Sequence, residues 1–171
     1  VMSSLKYKYR YGLADEIGTL AAEILRSYLP QNALLVPVPS TAKRIRERGF
    51  NQSEVLANVI GKSLRLQTIR LLEKSPLAQA QAGKSKLERK KLDAESISFR
   101  KQCGDVPRSN PLVLVDDVCT TGTTLHTCSQ TLDGEGFADI SAVALFRGMP
   151  RLTARSHPAS RAGGAGRTAG R

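Results

Sequence analysis

The chain has few of the residues that mark several common classes of protein. It has no tryptophan, and only four tyrosines and four phenylalanines among 171 residues. Proteins that bind single-stranded nucleic acid usually offer aromatic side chains on which bases stack, so nucleic acid is at most a secondary partner. No apolar run approaches the roughly 18 residues that cross a bilayer, and no signal peptide is visible. We therefore predict a cytoplasmic protein with no membrane partner.

Histidine and cysteine are equally scarce. There are two histidines, His126 and His157, and three cysteines that form no CxxC pair. An odd number of unpaired cysteines is typical of reduced thiols in a cytosolic protein. Two scattered histidines are too few for a cluster of metal ligands. The sequence thus predicts no metal-binding residues.

Positive charge is abundant but unevenly placed. The net charge is +11, and all 15 acidic residues lie before position 150 together with 21 of the 26 basic ones, which gives that part +6. Residues 151–171 hold five arginines, no carboxylate and no hydrophobic period. We predict one domain at 1–150 and a basic disordered tail at 151–171. An excess of +6 suits a polyanionic ligand and would also attract nucleic acid.

Apolar residues alternate along the domain between helical and strand spacing. The pattern predicts helices at 13–29, 53–64 and 123–132, and strands at 33–38, 68–72, 112–116 and 140–146. The apolar face of the first helix is predicted from residues that recur at helical spacing, which are Leu13, Ile17, Leu20, Ala21, Ile24, Leu25 and Tyr28. Alternating strands and helices favour an α/β fold with a parallel sheet flanked by helices. Weak periodicity, high polarity and many charges at 75–110 predict a mobile excursion from the sheet.

Residues 112–125, LVLVDDVCTTGTTL, hold the most specific pattern. Four apolar residues predict a buried parallel strand, and Asp116 and Asp117 follow at its carboxyl end, where open α/β sheets bind ligands. A turn of small hydroxyl residues then opens a helix, whose unpaired N–H groups suit a phosphate. The candidate phosphate-binding residues are Thr120, Thr121, Gly122, Thr123 and Thr124. Carboxylates beside a phosphate site suggest a phosphorylated sugar, although a structural strand end with a capped helix is the alternative.

Residues 36–52, VPVPSTAKRIRERGFNQ, hold a second candidate site. A strand ends in prolines, and a loop with four cations follows. Arg46 and Arg48 are candidates to bind a pyrophosphate, because a planar guanidinium binds phosphate oxygens in pairs. A solvated basic loop, or a patch that binds nucleic acid, is the alternative.

The two patterns together resemble a known family. Residues 112–125 resemble the 5-phosphoribosyl-1-pyrophosphate (PRPP) motif of type I phosphoribosyltransferases. VPVP, RGFNQ and LVDDV-x-TTGTTL, with LKYKYRYGLADEIGTLAAEIL near the start, are similar to the ComF/GntX family of predicted amidophosphoribosyltransferases over roughly residues 5–147. Many members of that family carry an amino-terminal zinc-binding cysteine module, and this sequence shows nothing of it.

The resemblance implies a type I phosphoribosyltransferase fold and a PRPP-dependent reaction. The phosphoribosyl group would pass to a nitrogen-containing small molecule with release of pyrophosphate. Asp116 and Asp117 would be catalytic and hold the ribose hydroxyls, and Mg²⁺ would be bound mainly through PRPP. A flexible lid from residues 76–100 would exclude water. No residue stands out as a general base, so the acceptor is open. Two other hypotheses are a non-catalytic PRPP- or nucleotide-binding regulator and an accessory protein in DNA uptake. We also consider a homodimer.

Overall fold

A parallel β-sheet with helices on both faces is the frame of the molecule. The computed structural model describes residues 2–74, 97–102 and 104–148, with side chains from residue 14 onward. The helices of these ranges are α1 (Met2–Leu25), α2 (Ala42–Arg48), α3 (Gln52–Leu64) and α4 (Thr123–Asp133). The strands are β1 (Leu34–Pro37), β2 (Gln67–Thr68), β3 (Leu72–Lys74), β4 (Ile97–Phe99), β5 (Leu112–Cys119) and β6 (Ile140–Arg147).

Strand β5 lies inside the four-stranded sheet, whose order is β2-β1-β5-β6. It pairs in parallel with β1 on one side and with β6 on the other. The first four residues of β5 are each at most 1% exposed, which explains why the sequence shows a continuous apolar run there. The predicted α/β class and parallel sheet are therefore confirmed. Because the strands are parallel, the carboxyl ends of β1 and β5 reach the same edge.

The two faces of the sheet are covered differently. One apolar cluster joins α1 and α3 to the sheet through residues such as Leu35, Ile60 and Val113. The other joins α4 and strands β3 and β4 to the opposite face through residues such as Leu114 and Phe137. The base of the site is consequently rigid, because the sheet edge that carries it is packed on both sides.

Helix α1 buries only part of the predicted apolar face: Ala21 is buried, and Ile17 and Leu25 pack against the core. Leu20, Ile24 and Tyr28 are 60%, 61% and 76% exposed. A Cβ added at Gly18 would lie 2.7 Å from Cγ1 of Val59 on α3, so the two helices approach too closely for large side chains between them. From residue 14 onward, the fully buried residues of α1 are small; they are Ala14, Gly18, Ala21 and Ala22. The helix ends at Leu25 and not at residue 29.

The predicted strand at 68–72 is two strands in different sheets. β2 joins the parallel sheet, whereas β3 pairs antiparallel with β4 in a separate two-stranded sheet. Between them Arg70 turns outward to Glu54 of α3, which breaks the run. Residues 97–99 of the predicted lid are thus a paired strand; residues 75–96 and the tail at 151–171 lie outside the described residues. None of the described helices is both long and apolar enough to cross a membrane.

Candidate functional site

The two aspartates lie where β5 leaves the core. Strand β5 runs three residues beyond its predicted end, because β6 continues to pair with it as far as Cys119 and Arg147. Asp116 is 8% exposed, while Asp117 is half-buried. The sheet edge therefore holds one carboxylate inside the protein and one at its surface.

Asp116 is held by two hydrogen bonds to the same oxygen. The hydroxyl of Ser53, on α3, donates to its Oδ1 at 3.0 Å, and the backbone N–H of Asp117 donates to it at 2.9 Å. Burial is the main reason that the pKa of Asp116 rises to about 6, and the charge of Asp117 adds to this rise. The hydrogen bond from Ser53 opposes it. Asp116 is thus a fixed acceptor that changes charge near neutral pH.

Asp117 connects the strand to the basic segment. Its Oδ1 accepts a hydrogen bond from the N–H of Val118 at 3.0 Å. Its Oδ2 lies 3.7 Å from Nη1 of Arg48, and the same nitrogen donates to Oε1 of Gln52 at 2.8 Å. The structure therefore brings together the two segments that the sequence singled out, residues 36–52 and 112–125.

The turn after β5 opens helix α4 at Gly122. This glycine has a φ of 77° and is the N-cap residue, so no side chain caps the first N–H groups of the helix. A Cβ built at Gly122 would meet nothing within 4 Å. The hydroxyls of Thr121 and Thr123 lie 2.9 Å apart, while Thr120 is exposed and Thr124 half-buried. Donors and open space are thus combined at the start of a helix, an arrangement that suits an anion.

The basic segment forms a short helix that the sequence did not predict. Thr41 caps α2 by accepting a hydrogen bond from the N–H of Arg44 at 3.2 Å. Residues two apart on a helix point in different directions, so Arg46 and Arg48 diverge. Arg48 lies at Asp117, whereas Arg46 is exposed and is not among the residues that contact the two carboxylates.

Three polar residues at the start of α3 complete the site. The side-chain amide of Asn51 donates to the carbonyl of Val38 at 3.0 Å, and so attaches the start of α3 to the end of β1. Gln52 holds Arg48, and Ser53 holds Asp116. Sequence reasoning assigned no role to these residues. The available signal was a run of three polar residues at a helix entrance directly after Gly49 and Phe50.

Comparison with known proteins identifies the family. No protein-family model matches the chain. Competence protein ComFC of Bacillus subtilis (strain 168) is 34% identical over 147 residues, which are 83% of this chain and 57% of that protein. The chain belongs to the ComF family. Competence protein ComFC of Streptococcus pneumoniae (strain ATCC BAA-255 / R6) is 28% identical over 145 residues, 85% of this chain and 61% of that protein.

This ComF-family chain spans about three fifths of the length of these two relatives. Among solved structures, a hypoxanthine phosphoribosyltransferase from Staphylococcus aureus matches with a TM-score of 0.49 and 13% identity, over 80% of this chain and 64% of the other. A purine phosphoribosyltransferase from Pyrococcus horikoshii Ot3 matches with a TM-score of 0.46 and 15% identity, over 80% and 82%. At such identities neither substrate nor activity transfers to this chain.

Proposed function

We propose that this ComF-family chain binds PRPP and transfers its phosphoribosyl group to a nitrogen-containing small molecule with release of pyrophosphate. One observation carries the proposal. The ion pair of Arg48 and Asp117, at 3.7 Å, joins the cationic segment to a carboxylate pair, and the turn after that pair leads to an open helix N-terminus. PRPP combines hydroxyls, a phosphate and a pyrophosphate in one small molecule, so it can use all three features at once.

The carboxylates are suited to the ribose ring. Asp116 and Asp117 can accept hydrogen bonds from the two ribose hydroxyls of PRPP, since ionised carboxylates are acceptors only. Positive charge develops on the ring as the bond to pyrophosphate lengthens, and two nearby carboxylates stabilise that charge. This role needs Asp116 in its ionised form.

The turn at 120–124 is suited to the 5-phosphate. Its backbone N–H groups and threonine hydroxyls are donors, and the helix dipole of α4 adds positive potential at the same place. The empty space beside Gly122 would let phosphate oxygens approach the backbone closely. The turn therefore fixes the end of the ligand farthest from the reacting bond.

The pyrophosphate is assigned to Arg48, whose guanidinium lies at Asp117. Among the described residues no group of three or more histidine, cysteine, aspartate or glutamate side chains could hold a metal ion. Mg²⁺, which prefers oxygen ligands, would be bound mainly by oxygens of PRPP and would neutralise the leaving group there. In the reaction, the lone pair of the acceptor nitrogen forms a bond to C1. The C1–oxygen bond breaks with its electrons going to pyrophosphate, and the nitrogen loses a proton to solvent.

Calorimetry with PRPP and Mg²⁺ tests the binding half of this proposal. We expect one PRPP per chain and clearly weaker binding of ribose 5-phosphate, which lacks the pyrophosphate. The variant Asp105→Asn, at an exposed aspartate outside the site, should bind PRPP as the wild type does. If PRPP gives no binding heat under any condition, both the transferase and the PRPP-binding regulator are excluded.

Release of pyrophosphate tests the catalytic half. We expect at least one amine, ammonia or heterocyclic base to accelerate pyrophosphate release from PRPP in the presence of the protein. If PRPP binds but no acceptor in a broad panel supports release, the chain is a PRPP-binding regulator that kept the fold without turnover.

An accessory role in DNA uptake is the second candidate. The observation that favours it is the outer face of α2, where Lys43, Arg44 and Arg46 are exposed, together with relatives that are named competence proteins. Under this hypothesis, replacing Lys43 and Arg44 by alanine would weaken the binding of a single-stranded oligonucleotide in a salt-dependent way. PRPP binding by that variant would be nearly unchanged.

A further inference from the structure

Ser53 makes an unusual hydrogen bond for a serine in a helix. It is the second residue of α3 and is 4% exposed. Its hydroxyl donates across 63 positions of sequence to Oδ1 of Asp116. By contrast, three threonines further inside α1 and α4 donate to a helix carbonyl four residues earlier; these are Thr19, Thr127 and Thr131. The Ser53 hydroxyl therefore serves the site and not its own helix.

The start of α3 is fixed well enough to aim this hydroxyl. Asn51 attaches the helix start to the end of β1 at the carbonyl of Val38, and Leu56, Ala57 and Ile60 bury the next turns against the sheet. A hydroxyl on so rigid a support loses little freedom when it bonds to Asp116. The contact is thus a built feature of the junction between the two segments of the site.

We propose that Ser53 is a positioning residue that holds Asp116 in the orientation and the ionised form needed to bind the ribose hydroxyls of PRPP. This inference rests on the proposed function for its ligand. It adds a residue that makes no contact with the ligand itself and acts through Asp116. It also predicts that ligand binding depends on pH in a way that Ser53 controls.

The groups around Asp116 set the direction of that dependence. Burial raises the pKa of Asp116 most, and Asp117 on the same strand raises it further. From α4, Cys128 faces it, and burial raises the pKa of that thiol to about 12, so the thiol stays neutral. The positive charge of Lys74 on β3 lowers the pKa of Cys128, and Nη1 of Arg48 lies 3.7 Å from Oδ2 of Asp117. Ser53 is the side chain of α3 that lowers the pKa of Asp116, so its removal must raise it.

The experiment measures the titration of the Asp116 carboxyl by ¹³C NMR in the free protein, with Asp116→Asn used to assign the signal. In Ser53→Ala the midpoint should move up by roughly one pH unit, the equivalent of one lost hydrogen bond. In parallel, PRPP affinity with Mg²⁺ should fall about fivefold at pH 6 and much less at pH 8.5, because Asp116 is ionised there in both proteins.

Two further variants keep the test decisive. Ser63→Ala, at the other end of α3, should leave both the midpoint and the affinity unchanged. If Ser53→Ala does not fold, Ser53→Cys, a near-isosteric and weaker donor, should still raise the midpoint. A midpoint that is the same as in the wild type overturns the inference. If the wild type binds no PRPP at any pH, the proposed function fails, whereas the carboxyl titration still decides what Ser53 does to Asp116.

Discussion

Asp116 is a residue at which the requirements of stability and of the proposed ligand binding oppose each other. Its side chain is 8% exposed, and its ionised form is costly there because a buried charge loses its hydration. Its pKa of about 6 lies above its ordinary value of 3.8. Below pH 3.8 both the folded and the unfolded chain are protonated at this position, so no cost arises. As the pH rises from 3.8 through 6, the unfolded chain ionises first, and the free energy of unfolding falls by up to about 3 kcal/mol because of this group.

Asp116→Asn should therefore stabilise the protein in a pH-dependent way. The gain in the free energy of unfolding over the wild type should be larger at pH 8 than at pH 4, by up to about 3 kcal/mol. Urea unfolding at both pH values measures it. The control Asp105→Asn, at an exposed position, should change the free energy by less than about 0.5 kcal/mol at either pH. A gain for Asp116→Asn that is equal at pH 4 and pH 8 would contradict the raised pKa.

Arg48 is a second single residue on which the site depends, because its side chain links residues 36–52 to residues 112–125. Arg48→Gln should lower PRPP affinity about 10- to 100-fold, because a charge-assisted contact to pyrophosphate is lost. The stability should change by less than about 1 kcal/mol, since the Asp117 ion pair is partly exposed and long. Arg44→Gln, on an exposed residue of the same helix, removes an equal charge. Calorimetry should show a small effect there; equal losses in both variants would mean that only the general charge of α2 matters.

At the scale of elements, the turn at Gly122 allows a matched comparison. Gly122 and Gly104 both have a positive φ, 77° and 79°, and an added Cβ meets nothing within 4 Å at either position. Alanine should cost about 1–2 kcal/mol of stability at each, from the backbone conformation alone. In Gly122→Ala, however, PRPP affinity should fall at least about tenfold, because the methyl group occupies the space proposed for the phosphate. Similar PRPP affinities in the two variants would place the phosphate elsewhere.

The packing of α1 on α3 gives a second prediction at this scale. Gly18→Ala places a methyl group 2.7 Å from Val59, and this overpacking should lower the free energy of unfolding by about 1–3 kcal/mol. Because alanine is a better helix former than glycine, about 1 kcal/mol of that loss should be offset. Val59→Ala in the same chain should recover most of the loss. The exposed neighbour Thr19→Ala is the control in urea unfolding. Failure of the double variant to recover would mean that the two helices do not meet at Gly18.

These elements also show how far the sequence alone could reach. Strand β5 and helix α4 were predicted within a few residues, because a continuous apolar run and a helical period are local signals. The buried face of α1 was predicted only in part, since Ile17, Ala21 and Leu25 pack in or against the core and three other predicted residues do not. Leu20, Ile24 and Tyr28 recur at helical spacing, but the close approach at Gly18 selects the face with small residues. Which face of α1 is buried depends on its contacts with α3, and the periodicity of α1 alone contains no information about those contacts.

The candidate site likewise combines features that local sequence patterns predict with features that they do not predict. The positions of Asp116 and Asp117 at the sheet edge follow from a local pattern, since parallel strands end their apolar runs there. The hydrogen bond from Ser53 joins residues 63 positions apart, and no local pattern specifies it. Arg46 and Arg48 looked equivalent in the sequence, whereas the short helix α2 separates their directions. The assigned roles of all these residues, the homodimer and the cytoplasmic location stay predictions.

At the scale of the whole molecule, the fold brings two distant basic and acidic segments to one edge of a sheet. Residues 1–150 carry a net charge of +6, which favours the approach of a ligand with several phosphates. Such a charge would attract any polyanion, so binding alone does not show that the ligand occupies the edge formed by β1 and β5. The location of the bound ligand is the decisive quantity.

An NMR titration of the ¹⁵N-labelled chain with PRPP and Mg²⁺ measures that location directly. The account predicts that the largest amide shifts fall on residues 116–124, with a second group at Arg48 and the start of α3. Inorganic pyrophosphate alone should shift the second group and leave the turn at 120–124 nearly unchanged. Shifts confined to the outer face of α2, or absent from the turn at saturating PRPP, would contradict the assignment of this edge as a PRPP site.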